Sequence, residues 1–267
     1  MSSATWVSAK QMLDREKHVW YRPIPTFVQP FDKILNGGIK LGVITEIVGD
    51  CGTGKTCMCY QLCLNVQIPL VLQGLESQAL FIDTENSFVS ARMKEMTEAF
   101  VHHCNSVLHS GHSSKLSEHR VLSRIHVIKC KDLSTFEKVI LHLDAYLAKN
   151  RKIKVIAIDS IAFPFYSQGD GFWERGKLLY SIGQILHYLA DKYGIAVVLT
   201  NNVTTRFDQS GNEYFVPFLG DSWNYIPNQR INLRWGNDRR RVAEIVKSSY
   251  AAAASVNFRI TPMGIRE

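Results

Sequence analysis

The amino-acid sequence predicts an α/β fold: a mostly parallel central sheet covered by helices on both faces, with antiparallel strands added at the C-terminal end. Three observations predict it. VITEIV at residues 43–48, VIAID at 155–159 and IAVVLT at 195–200 are near-continuous β-branched and apolar runs, the pattern of strands buried on both faces. Longer amphipathic stretches separate these runs, as crossover helices between parallel strands do. From about residue 230 the helical pattern stops, and the short strands INLRW, VAEIVK and VNFRI follow one another directly.

The elements then follow in order. Residues 1–30 are polar and end in Pro23, Pro25 and Pro30, so they form a helical or extended lead-in, and residues 31–267 form one domain. After the strand at 43–48, residues 56–67 form a helix stopped before Pro69. ALFID at 79–83 is a strand, 88–108 a helix, and the serine- and glycine-containing stretch 110–119 a polar loop. RIHVIKC at 124–130 is a strand and 135–149 a helix. The strand at 155–159 leads to a helix at 173–193, ended by Gly194 in the position where helices favour glycine. No linker, repeat or low-complexity segment interrupts the chain.

Composition narrows the function classes. Charged residues make up 21% and hydrophobic residues 46% of the 267, the balance of a globular domain. No run of about 18 apolar residues argues for a membrane span, and MSSATWVSAK has no apolar signal core. The net charge of +7 suits a polyanionic partner and equally suits plain solubility. The six cysteines show no Cys-x-x-Cys pair and three share one helix, which points to reduced thiols in a cytosolic or nuclear protein. His102, His103, His109 and His112 lie by a polar loop without a carboxylate pattern and are expected at the surface rather than on a metal.

Chemistry concentrates at Gly49-Asp50-Cys51-Gly52-Thr53-Gly54-Lys55-Thr56, a complete G-x-x-x-x-G-K-[ST] between a strand and a helix. Glycines let such a loop curl until its N–H groups face phosphate oxygens, and the helix start adds partial positive charge. Lys55 is expected to reach the β- and γ-phosphates of ATP, and the Thr56 hydroxyl to ligate Mg²⁺. Asp159 ends a buried strand after four apolar residues, where a carboxylate needs a metal to face; it is the second magnesium candidate. Ser160 cannot serve as a base. Glu85, two residues past ALFID, would lie at a neighbouring strand tip, where it could orient the attacking water or merely cap a turn.

FIDTENSF at 81–88, LTNNVTTRFD at 199–208 and GDSW at 220–223 together resemble the RecA-like eukaryotic DNA recombinases. NVQIP at 65–69, DSIAFPF at 159–165 and VKSS at 246–249 are most similar to the paralogue C subfamily, and the similarity runs from about residue 10 to the end. The resemblance implies a RecA-like P-loop ATPase core and an ATP-dependent factor of recombination and double-strand-break repair. It implies Mg-ATP as ligand, single-stranded or branched DNA and other recombinase paralogues as partners, no membrane, and the nucleus as location. It also assigns Glu85 to the attacking water and Arg92 to the adenine. By position, DNA-contacting loops fall at 164–176 and 203–219, both irregular and polar in this reading. Arg175, Lys177 and Arg206 are their phosphate candidates, and Phe165, Tyr166, Phe172 and Phe207 could stack on bases or pack into the core. Lys247 lies in the segment that reaches a neighbour's nucleotide, where it could stabilise γ-phosphate charge in trans or stay solvated. Residues 6–20 could dock on an adjacent subunit.

The chain departs from the family pattern in places. Active strand-exchange enzymes carry Gln after Thr-Asn; Asn202 is one methylene shorter, which leaves a weak DNA-dependent ATPase as the enzymatic expectation. Asp50 and Cys51 are unusual in the phosphate loop, and Asp50 must turn away from the nucleotide. Only 48 residues precede Gly49, so the usual N-terminal helix-hairpin-helix module is not expected. Arg239, Arg240 and Arg241 could meet DNA, act as an import signal or form a solvent-facing hairpin turn. Two other functions compete: a nucleotide-clamped scaffold with little turnover, and a small-molecule kinase, which would need an arginine-bearing lid that the stretch 159–201 lacks.

Overall fold

The computed structural model describes residues 7–11, 22–108, 115–166, 172–208, 211–236 and 240–267. Nine strands form one sheet in the order β11-β10-β9-β8-β1-β5-β4-β2-β3. They are β1 (Ile44–Gly49), β2 (Gln78–Asp83), β3 (Ile125–Lys129), β4 (Ile153–Asp159), β5 (Ala196–Asn201), β8 (Gln229–Trp235), β9 (Arg241–Lys247), β10 (Ala254–Thr261) and β11 (Gly264–Arg266). The segment from β8 through β1, β5, β4 and β2 to β3 is parallel, and β9, β10 and β11 continue it antiparallel. This is the α/β arrangement the sequence predicts and the RecA-like resemblance implies, with one correction. INLRW lies in β8, which pairs parallel with β1, so the antiparallel extension starts one strand later.

Side-chain alternation along the strands builds two hydrophobic layers, one per face. Ala79 and Phe81, Val155 and Ala157, Ala196 and Val198 point into one layer. Helices α1 (Gln29–Ile34), α2 (Lys55–Asn65), α3 (Ser90–Val107) and α4 (Glu118–Leu122) contribute Phe31, Leu62, Phe100 and Val121 to it. Leu80, Ile82, Ile156, Ile158, Val197 and Leu199 point into the other. There α5 (Leu133–Lys149) packs Phe136, Ile140, Leu143 and Leu147, and α6 (Phe172–Tyr193) packs Leu179, Ile182, Leu186 and Leu189. Both sets follow the i, i+3/i+4 spacing that puts one helical stripe on the sheet.

Local chemistry sets the helix ends. The Asp132 side chain accepts from the Thr135 N–H at 2.7 Å and caps α5, so that helix begins before the Thr135 the periodicity suggests. Ser117 caps α4 in the same way, and the stretch 110–119 therefore runs into a short helix rather than ending as loop; His109 and His112 lie outside the described residues. Ile24 and Val28, in the stretch the sequence assigns to the lead-in, are buried in the first layer, and Ile24 bridges to Ile39. Of residues 6–20 only 7–11 are described, and Ala9–Gln11 are helical. Two further strands, β6 (Val203–Phe207) and β7 (Glu213–Pro217), pair as an antiparallel hairpin directly after β5. The expected irregular loop at 203–219 is thus largely a ribbon. Its alternating β-branched and aromatic residues, VTTRF and EYFVP, fit two strands around Gly211.

Among the described residues no helix is long and apolar enough to cross a membrane. All six cysteines are free thiols, four of them buried, and burial pushes Cys63 up to about 12.

Candidate functional site

The C-terminal tips of β1, β5, β4 and β2 stand side by side, because the strand order places those strands next to one another. A cleft of about 530 Å³ opens over them. Gly49, Asp50, Cys51, Gly52, Gly54, Lys55, Thr56, Glu85, Asp159 and Asn202, all singled out by the sequence, line it. Cys57, Tyr166 and Val203 complete the wall.

The loop leaves β1 at Gly49 and enters α2 at Lys55. Gly54 caps that helix at φ +109°, and a Cβ there would stand 2.7 Å from the Ile260 side chain, so only glycine fits. The Asp50 carboxylate accepts from the Cys51 N–H at 2.7 Å and is solvent-exposed, although Asp50 still lines the cleft. The Lys55 ammonium folds over the loop and donates to the carbonyls of Gly49 at 2.8 Å and Asp50 at 3.1 Å. Burial lowers its pKa, and Asp159 and Glu85 oppose that.

Asp159 is 2% exposed at the end of β4. Its Oδ1 accepts from the Thr200 hydroxyl at 2.5 Å, and its Oδ2 from Thr56 at 2.7 Å and Ser87 at 3.4 Å. Burial raises its pKa, while the Thr200 and Thr56 hydroxyls hold it down. A buried carboxylate ringed by hydroxyl oxygens is a hard-oxygen donor set, which fits Mg²⁺. The curled loop with its lysine fits the phosphates of a nucleotide. Lys55 and the loop N–H groups would hold the triphosphate, and Thr56 and Asp159 the magnesium.

Glu85 follows the tip of β2. Its Oε1 accepts from the Ser160 hydroxyl at 2.7 Å, so the residue excluded as a base serves to hold the carboxylate. Thr84 locks the two tips together: its hydroxyl accepts from the Ser160 N–H at 2.8 Å and donates to the Ser160 carbonyl at 2.7 Å. Asp83 accepts from the N–H groups of Ser87 and Phe88, closing the turn that carries Glu85. Asn202, just past β5, donates its amide to the Tyr166 hydroxyl at 2.8 Å and approaches Glu85 Oε1 only to 3.5 Å. Tyr166 packs edge-on against Phe218 with ring centres 4.3 Å apart, and the Arg175 guanidinium lies 4.7 Å over the other part of that platform, the Phe218 ring.

A second polar cluster backs the cleft. Glu46, in the middle of β1, is fully buried and accepts from Asn201 Nδ2 and Trp223 Nε1 at 2.8 Å each and from Arg230 Nε at 2.5 Å. The sequence signal for it was present: a glutamate inside the apolar run VITEIV requires a buried partner. The polar Thr200 at the end of IAVVLT carried the same message for Asp159.

The remaining expected residues are placed elsewhere. Arg92 does not line the cleft; its guanidinium donates to Glu95 and to the carbonyls of Thr261 and Pro262 at the β10–β11 turn. Lys247 donates to the carbonyls of Asn224 at 2.6 Å and Pro227 at 2.7 Å within its own chain, and reaching a neighbour would mean giving up both bonds. Arg175 and Lys177 sit in the first turns of α6, which begins inside the loop assigned to 164–176, and Arg206 is exposed on β6. Phe165 is core, 1% exposed, whereas Tyr166 faces the cleft; the side chains of Phe172 and Phe207 lie outside the described residues.

Comparison with known proteins follows the same outline. The Rad51 family model matches residues 21–267. "DNA repair protein RAD51 homolog 3" of Cricetulus griseus is 33% identical over 97% of this chain and 72% of its own length. The protein of that description from Dictyostelium discoideum is 35% identical over 91% of this chain and 65% of its own. "DNA repair and recombination protein RadA" of Metallosphaera sedula is 30% identical over 92% of this chain and 72% of its own. The chain thus spans about two thirds to three quarters of the length of these relatives.

Proposed function

This chain belongs to the Rad51 family, and from that premise we propose that it is an ATP-dependent factor of DNA recombination and double-strand-break repair. It binds Mg-ATP and single-stranded or branched DNA, and acts in the nucleus within a complex of recombinase paralogues. One observation carries the reading: Lys55, Thr56, Asp159 and Glu85, from three different strand tips, line one cleft. Magnesium, when bound, offsets the negative charge of the triphosphate. The chain's own groups do the rest. Loop N–H groups and Lys55 would bind the phosphates, and Thr56 and Asp159 would hold the metal. Glu85, fixed by Ser160, orients the attacking water. Arg175, Lys177 and Arg206 meet DNA phosphates, and Lys247 is the candidate for a neighbour's nucleotide.

The purified chain with its natural partners is expected to bind Mg-ATP and single-stranded DNA at low salt. Lys55→Ala should lose nucleotide binding, and subunit identification after co-purification should return Rad51-family proteins. Absence of nucleotide binding in the unmodified chain overturns the proposal.

One specific observation favours a second reading, a nucleotide-clamped scaffold with little turnover: the Asn202 amide makes its short bond to Tyr166, at 2.8 Å, and only a long one to Glu85, at 3.5 Å. Glu85→Gln decides between them. A repair assay that tolerates Glu85→Gln but not Lys55→Ala supports the clamp, and one that tolerates neither supports turnover.

A further inference from the structure

Of the arginine triplet, Arg239 lies outside the described residues, and Arg241 acquires a use that the catalytic cleft leaves unassigned. Trp235 ends β8 and Arg241 begins β9, directly opposite each other in the register. The Arg241 guanidinium lies 4.4 Å over the Trp235 ring, and its Nε donates to the Gly52 carbonyl at 3.2 Å, at the crest of the phosphate loop. Gly52 takes φ +74°, and a Cβ there would stand 3.2 Å from the indole. Trp235 is nonetheless 49% exposed, so the pair rests on the loop's outer surface rather than in the core.

We propose that Trp235 and Arg241 form a brace that fixes the phosphate loop for nucleotide, with Arg241 a positioning residue that need not touch the phosphate. Backbone geometry couples the two sides of the loop. In a trans peptide the C=O and the following N–H point in opposite directions. Arg241 draws the Gly52 carbonyl outward, and this turns the Thr53 N–H inward. That N–H makes a long 3.4 Å bond to the Asp50 carbonyl across the loop, a weak tie that a phosphate oxygen can replace. Without the outside anchor the peptide is free to rotate, and ordering it falls to the ligand, which lowers affinity. The planar guanidinium suits the post because it stacks and donates at once, which an ammonium does not.

The inference rests on the Mg-ATP reading above, and its test separates the two. Affinity for a slowly hydrolysed ATP analogue with magnesium is measured by calorimetry on the full chain, next to the melting midpoint without nucleotide. Arg241→Gln is expected to weaken binding roughly tenfold, as loss of a hydrogen bond from a charged donor does. Arg241→Lys should lose as much, because charge alone does not hold the carbonyl. Binding should also change the tryptophan emission of the parent chain, and Trp235→Phe should remove that change. Should Arg241→Gln lower the nucleotide-free midpoint, Trp235→Phe must still weaken binding while the midpoint holds. Parent-level affinity in Arg241→Gln, in Arg241→Lys or in that Trp235→Phe control overturns the brace and leaves the Mg-ATP reading standing. A parent chain that binds no nucleotide removes both.

Discussion

Asn202 stands between two partners at the edge of the cleft. Its amide donates to Tyr166 at 2.8 Å and makes a long bond to Glu85 at 3.5 Å. Asn202→Gln lengthens the side chain toward Glu85, and ATP turnover is expected to rise about tenfold, equivalent to ~1.4 kcal/mol of barrier, with nucleotide affinity unchanged. Steady-state kinetics on the two proteins checks this, and an unchanged kcat counts against it. The phosphate loop and Asp159 were legible in the sequence because backbone curl and buried charge restrict which residue types can stand there, whereas the residues around Glu85 left its role open and only the family resemblance assigned it. The Tyr166–Asn202 bond was not legible. It joins residues 36 apart through a short turn at Phe163–Phe165 whose geometry no local pattern encodes.

At the scale of elements, β1, β5 and β8 are tied by more than their ladders. Glu46 on β1 receives Asn201 of β5, Arg230 of β8 and Trp223 of the turn between them. Removing one partner of a buried ion pair strands the other, so Glu46→Gln is expected to cost about 3–5 kcal/mol. Denaturant unfolding measures it, and a cost under about 1 kcal/mol would mean the pair is not held in isolation from water. Central strands and long helices were readable, since periodicity and apolar runs report burial directly. The β6–β7 ribbon was not read, although VTTRF and EYFVP carry strand-forming residues, because the resemblance had placed a loop there. The direction of β8 was also hidden: pairing sense depends on where a strand inserts, and its residues look the same either way up.

Across the whole molecule, the N-terminal approach to the sheet adds a pH response. Asp32, at the start of α1, accepts from the Thr26 N–H at 2.7 Å, and burial raises its carboxyl to about 6. The folded state therefore holds this proton more tightly than the unfolded chain, and Asp32 contributes less to stability as pH rises from about 4 to about 6. Asp32→Asn keeps an oxygen for Thr26 and removes the titration. The stability difference between the two proteins should move in favour of the parent chain as pH falls through 6, read from melts at several pH values. A difference independent of pH would show that Asp32 does not titrate in that window.

The strand that carries the phosphate loop is completed very late. β1 sits between β5 and β8, and Thr45 pairs with Gln229, 184 residues further on. During synthesis the loop therefore leaves the ribosome long before its second flanking strand exists, and contacts this distant in sequence close slowly. A premature stop at residue 228 should thus disarm the proposed ATP capture as thoroughly as loss of Lys55, although the message still encodes every residue of the loop. Retention of such a fragment on immobilised ATP after cell-free translation would contradict this.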